Sequence, residues 1–317
     1  FAHTYALLFG ARIGLALAAG AFMPAASAYA VATSPAARRG RALAIIYAGL
    51  TVATLVGVPI GVLVGERFGW RVIFLGAAAL SFITLAGLAF SLAPSHGNGA
   101  VTLAERLAIA RRPAVLGVLA VTVFFMTGAF TIFTYIAPFL QTAANLSGDA
   151  VAIVLFTFGL GATVGNLGGG ALADRIGPAR VLRVVFAGLI VLFTTLSLAA
   201  FVLSPETARW VIVPVIGLWG LVGFSAPSAQ QSRLAAMDPK LAPVTLSLNA
   251  SAGYIGVSLG AVLGSLAVAH QAVPALGFLG AACEVGALSI LLITLRRKKP
   301  APRQVALGLT ERCIVLA

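Results

Sequence analysis

The sequence predicts an all-α polytopic membrane protein, and three observations predict it. Sixty per cent of the 317 residues are apolar and only 9% are charged, whereas a soluble domain carries roughly a quarter of its residues charged. The apolar residues run in blocks of about 20, the length a helix needs to cross a hydrocarbon core of about 30 Å. The mean hydropathy is +1.05. Helices are the expected form because a spanning segment must satisfy its own backbone hydrogen bonds. The short alternating segments of a membrane β-barrel are absent from the sequence.

Charges, Pro and Gly divide the chain into nine spans, at 4–30, 42–65, 71–93, 114–140, 149–172, 180–203, 210–230, 244–268 and 273–295. The first stops before Arg38 and Arg39, the second before Glu66 and Arg67, and the third runs from Arg71 to Pro94. The fourth follows Arg111, Arg112 and Pro113. The fifth lies between Asp149 and Asp174, the sixth between Arg180 and Pro205, and the seventh between Arg209 and Arg233. The eighth begins after Pro243, and the ninth runs from Pro274 into the basic run at Arg296. Each span holds too few charges to be costly in lipid.

A formal charge of +13 could suggest nucleic-acid binding, but its distribution follows membrane topology. Seventeen of the 21 basic residues fall in the loops after spans one, three, five and seven and in the tail, against three on the other side. That bias makes the first side cytoplasmic. The expected organisation is the last part of a first half at 1–93, a cytoplasmic linker at 94–113, a second half at 114–295 and a basic cytoplasmic tail at 296–317. Cys283 and Cys313 offer neither a ligand cluster nor a persuasive disulfide. No cofactor or metal is expected.

An internal repeat relates the two ends of the chain. Ile13-Gly14-Leu15, Gly20 and Pro24 recur as Ile216-Gly217-Leu218, Gly223 and Pro227, displaced by 203. Gly57, Gly61 and Gly65 recur as Gly256, Gly260 and Gly264, displaced by 199, and Phe74–Ala78 recurs as Phe278–Ala282, displaced by 204. Spans one to three are therefore equivalents of spans seven to nine, and spans four to six have no partner. The expectation is a whole of two six-helix halves, with this chain lacking the first three helices and carrying helices four to twelve.

Two six-helix halves with a cytoplasmic linker resemble the major facilitator superfamily, and local motifs sharpen the likeness. Gly170-Ala171-Leu172-Ala173-Asp174-Arg175-Ile176-Gly177 resembles the family's cytoplasmic loop motif, which implies that Gly170, Asp174, Arg175 and Gly177 form a latch. Asp174 can face a cation or helix N-terminus, Arg175 a carboxylate, and Gly177 permits a tight turn. Gly57-Val58-Pro59-Ile60-Gly61, followed by Gly65 and Phe68-Gly69-Trp70-Arg71, is similar to the antiporter motif. Its G-x-P-x-G spacing departs from the usual form and looks like the drug, arabinose and purine efflux branch. Generic small-residue packing explains the same glycines, and a Pro-containing helix is also a place that bends.

The resemblance implies a secondary transporter, a monomer in the cell inner membrane, exporting a small organic molecule (drug, sugar or nucleobase) by proton antiport. Arg12 loosely resembles the family's arginine motif; the resemblance implies a part in proton release or contact with the substrate, and snorkelling to the outer surface is the alternative. Glu284, the only acid well inside a span, either carries a proton or bonds to a neighbouring helix. A cavity near the midplane is expected. Thr127, Thr131, Thr134 and Pro138, with Phe130 and Tyr135, share one region of span four. Ser247, Ser251, Tyr254 and Ser258 share a face of span eight. Aromatic and hydroxyl lining suits a neutral or amphipathic substrate, while hydrogen bonding between helices is the alternative use of those groups.

A membrane-embedded enzyme would need a cluster of His, Asp or Glu; His3, His96 and His270 lie near span ends or in a loop, with no catalytic pair apparent. No P-loop points to ATP, and no filter sequence or ring of charges points to a channel. An inactive remnant of a transporter is the remaining alternative.

Overall fold

The computed structural model describes residues 4–34, 45, 46, 49, 52–91, 103–235, 237 and 241–296. Eight helices among these residues are long and apolar enough to cross a membrane. The expected second span, 42–65, falls partly outside the described residues, as do the linker's first part and the tail beyond Arg296.

Four helices form the first part of the chain: α1 (Tyr5–Thr33), α2 (Val58–Phe68), α3 (Trp70–Ser91) and the short α4 (Leu103–Ala110) of the linker. The second half contains α5 (Pro113–Phe133), α6 (Ile136–Ala144), α7 (Asp149–Ile176), α8 (Pro178–Val202), α9 (Pro205–Gly223), α10 (Ser225–Ala235), α11 (Ala242–Ala269) and α12 (Leu276–Arg296).

Two expected spans are each split into two helices, and proline accounts for both breaks. Pro138 has no N–H to give Thr134, and span four breaks between Phe133 and Ile136. Pro227 has none to give Gly223, where α9 ends. A third proline perturbs without breaking: Pro59 leaves Leu55 without its i+4 donor, and Leu55 sits in a π turn at Ala53–Gly57, where Val58 N–H reaches Ala53 O.

Lipid is as apolar as leucine, so the second half is held by close packing and interhelical hydrogen bonds. α5 packs against α11 and α12, α12 against α8, α8 against α9, and α9 against α7. Small residues let the backbones meet. A Cβ at Gly260 of α11 would stand 2.6 Å from Thr127 O and 2.9 Å from Thr131 N of α5. On α7, Gly161 and Gly165 lie against the α9 backbone at Gly217 and Leu221. Phe133, Phe158, Phe193 and Trp219 fill the space between these pairs, with Trp219 edge-on to Phe193 at 5.1 Å between centroids.

A polar chain pins the end where α5 begins. Gln230 of α10 donates to Val118 O and to Thr122 Oγ1 of α5, both at 2.9 Å, and Thr122 donates to Asn249 Oδ1 of α11 at 2.6 Å. Arg233 of α10 donates to Thr294 Oγ1 of α12 at 2.7 Å. In contrast, neither Tyr5–Met23 of α1 nor Trp70–Ser91 of α3 contains a buried residue.

Candidate functional site

The first part of the chain meets the second half mainly along one seam, where the π turn and α2 lie on α7. The antiporter-like residues sit there. Pro59 is the buried residue of α2, and Val58 and Val62 pack against the second half's core. Gly61 has open space where a Cβ would stand, while at Gly65 a Cβ would come within 2.9 Å of the Ile73 side chain on α3. The π turn that Pro59 permits thus lies where α2 touches the other half, the place where an irregular helix can change its bend.

At one end of the seam, where α2 ends and α7 begins, Arg67 and Asp149 approach to 3.6 Å, with side chains 66% and 71% exposed. Gly69 (φ +84°) and Gly148 (φ +61°) turn the chain beside that pair in conformations that side chains resist. An exposed pair of this kind contributes about 0–1 kcal/mol, enough to bias a balanced equilibrium and too little to lock it.

Arg12 is exposed, and its guanidinium lies over the Phe74 ring at 4.7 Å. Phe74 is four residues from the start of α3, about 6 Å along the helix. The guanidinium is therefore stacked on an aromatic face near the Trp70 end of α3.

The structure separates the residues expected at the cavity into two groups. The threonine face of α5 meets the glycine face of α11: Thr127 and Thr131 are buried there and donate to Val123 O and Thr127 O at 2.8 and 2.7 Å. This corrects their expected place with the cavity residues, because Gly256 and Gly260 bring the α11 backbone directly onto them. Tyr135 belongs to the same contact; its hydroxyl donates to Ala261 O at 3.1 Å and its ring lies against Gly264. Phe130 packs edge-on to Phe133 at 5.7 Å. Thr134, Ser251 and Tyr254 are exposed, Tyr254 by 50%. Ser251 and Ser258 return their protons to Ser247 O and Tyr254 O within α11, which leaves the hydroxyl oxygens as acceptors.

Glu284 is fully buried between α12 and α5, and neither oxygen has a hydrogen-bond partner. Its Oε1 stands 3.0 Å from where a Cβ of Gly128 would be. Of the two readings of this residue, a bond to a neighbouring helix is not found. On α5 its Oε1 faces Gly128, which has no side chain to offer a donor.

In the loop between α7 and α8, Gly177 has φ +88° and its N–H caps α7 by donating to Ala173 O at 2.9 Å. A Cβ at Gly170 would meet Ser228 of α10 at 3.9 Å. Asp174 and Arg175 are exposed, and neither forms an ion pair with a described residue. Sequence reasoning missed the Gln230–Thr122–Asn249 chain and the Arg233–Thr294 bond. Their signal was available: Gln230 and Asn249 are amides in apolar spans, where polar groups are costly unless bonded.

Comparison with known proteins agrees with this architecture. The sequence profile described as Major Facilitator Superfamily matches residues 1–261. The chain is 32% identical over 303 residues to the inner membrane transport protein YdhP of Escherichia coli (strain K12), covering 94% of this chain and 75% of that protein. It is 27% identical over 300 residues to the uncharacterized MFS-type transporter YbcL of Bacillus subtilis (strain 168), covering 95% of this chain and 75% of that one. With its helical spans and the seam between halves, the chain belongs to the major facilitator superfamily, and it is a membrane transporter rather than an enzyme.

Proposed function

We propose that the protein is a proton-driven exporter of a neutral or amphipathic small organic molecule, in the drug, sugar or nucleobase range. It works by rocking two six-helix bundles about the α2–α7 seam. The observation that carries this reading is Pro59, buried in that seam beside a π turn. A bend there changes how the halves meet without breaking either bundle. In this reading Arg67 and Asp149 close the outer end when the cavity faces inward. The exposed Thr134, Ser251 and Tyr254 face the substrate, with Phe130 at the margin. Tyr135 acts on the substrate side only through the α5–α11 contact. Glu284 is the proton carrier, and Arg12 at the outer boundary biases its release. Gly170, Asp174, Arg175 and Gly177 latch the cytoplasmic side.

The protein functions as a monomer in the bacterial inner membrane with its tail in the cytoplasm. The internal repeat supports three further helices that complete the first half and cover part of α1 and α3.

The test is proteoliposomes holding the protein and a pH-sensitive dye, challenged with ethidium, L-arabinose and inosine as probes. Proton flux on addition of at least one probe, absent from empty liposomes and reduced at least about tenfold in Pro59→Ala, is the expected result. Probe movement that ignores an imposed pH gradient would contradict proton coupling.

A further inference from the structure

A cavity lies away from the seam, where the ends of α7, α8, α10 and α12 come together. It has a volume of about 500 Å³ and is lined by Ile176, Gly177, Arg180, Arg183, Arg233 and Leu295, among others. Three guanidinium groups thus share one cavity. Arg180 and Arg183 stand one turn apart on α8, on the same face. Arg183 spends its Nε–H on Ala179 O at 3.4 Å. Arg233 comes from α10; its Nη2 is bonded to Thr294, while its Nη1 is enclosed and has no hydrogen-bond partner.

No described carboxylate forms an ion pair with any of the three. Asp174, which precedes the cavity in the same loop, is exposed and is not among its lining residues. Three cations around one space, none paired with a described carboxylate, select an anion, and guanidinium forks match phosphate oxygens in particular.

The remaining walls indicate what carries the phosphate. Ile176 and Leu295 are apolar, and the α8 and α12 faces that line the cavity continue into exposed Val184 (65%), Val191 (63%) and, one turn before Leu295, Leu292 (38%). Within a membrane these are lipid-facing. The distribution of basic residues places the cavity at the cytoplasmic leaflet, whose surface is anionic. We propose that this cavity seats the phosphate group of an anionic phospholipid, with the acyl chains along α8 and α12. A bound lipid would add to the Arg233–Thr294 bond a second tie, between α10 and α8. The inference is independent of the transport reading.

Purified protein in mixed micelles, titrated separately with phosphatidylglycerol and phosphatidylcholine and read by native mass spectrometry, tests it. The variant is Arg180→Gln with Arg183→Gln, since both side chains are exposed and their loss leaves the Arg233–Thr294 bond intact. It also keeps Arg296, Arg297, Lys298 and Lys299, so any general attraction by the tail remains. Wild type should retain phosphatidylglycerol about 10- to 30-fold better than phosphatidylcholine, and the variant should lose most of that preference. Millimolar inorganic phosphate should not displace the lipid. Equal retention by the variant, or no preference between the lipids, would overturn the site. Displacement by inorganic phosphate would overturn the lipid assignment, making it a seat for a soluble phosphate.

Discussion

Gly260→Ala is expected to destabilise the protein by about 1–3 kcal/mol, and Gly260→Leu to prevent recovery of folded protein from detergent. Ala is the better helix former by about 1 kcal/mol, so propensity alone predicts the opposite sign. Packing decides, because the atoms in the way are backbone: Thr127 O at 2.6 Å, Thr131 N at 2.9 Å and Phe130 C at 3.0 Å from the new Cβ. Backbone cannot rotate aside as a side chain can, so α5 and α11 must separate, and the threonine face loses its contact. Gly253 is the internal control. It lies on the same helix with nothing within 4 Å of its Cβ position, and Gly253→Ala should be neutral or slightly stabilising. Thermal unfolding of both variants, with size-exclusion profiles, reads the difference. Equal behaviour at the two positions would mean that α11 does not meet α5 along this face.

Glu284→Met is expected to make the protein more stable and to abolish proton-driven export. A buried polar group without a partner costs about 1–3 kcal/mol, and both Glu284 oxygens are in that position. Methionine matches the unbranched shape and removes the cost. On the proposed reading that cost is kept for a use, and carrying a proton is one use of a carboxyl inside a membrane. Glu284→Gln separates the two effects, since it keeps the shape and polarity but cannot exchange a proton. It should fold as wild type does and show no proton flux when the probe is added. Lower thermal stability in Glu284→Met would mean that the carboxyl is bonded; undiminished proton flux in Glu284→Gln would remove it from the coupling.

Much of this structure was legible because a membrane leaves few choices. Long apolar blocks must be helices, so span positions came within a few residues: 71–93 was expected and Trp70–Ser91 found. The glycine face of α11 was legible from four-residue spacing. Its partner was not, since spacing gives the face of one helix and not the helix that meets it. Thr127 and Thr131 were consequently placed with the cavity residues when Gly256 and Gly260 pack on them. The breaks near Pro138 and Pro227 were within reach of the rule that proline removes the bond to residue i−4. Hydropathy averages over such breaks, and each of those spans was read as continuous. Glu284 could be seen as unusual from sequence, but its lack of a partner is a property of the opposing helix.

The distance between the outer ends of α2 and α7 tests the central claim most directly. Spin labels at the neighbouring exposed positions 68 and 147, which leave Arg67 and Asp149 in place, report it by pulsed electron resonance in protein with Cys283 and Cys313 replaced and reconstituted in nanodiscs. A transporter that rocks about this seam should show a short distance matching the Arg67–Asp149 approach and a second population longer by about 10 Å, the scale of an interhelical separation. Their ratio should change between acidic and basic pH. A single short distance at every pH would mean that the seam does not open, and would contradict alternating access through it.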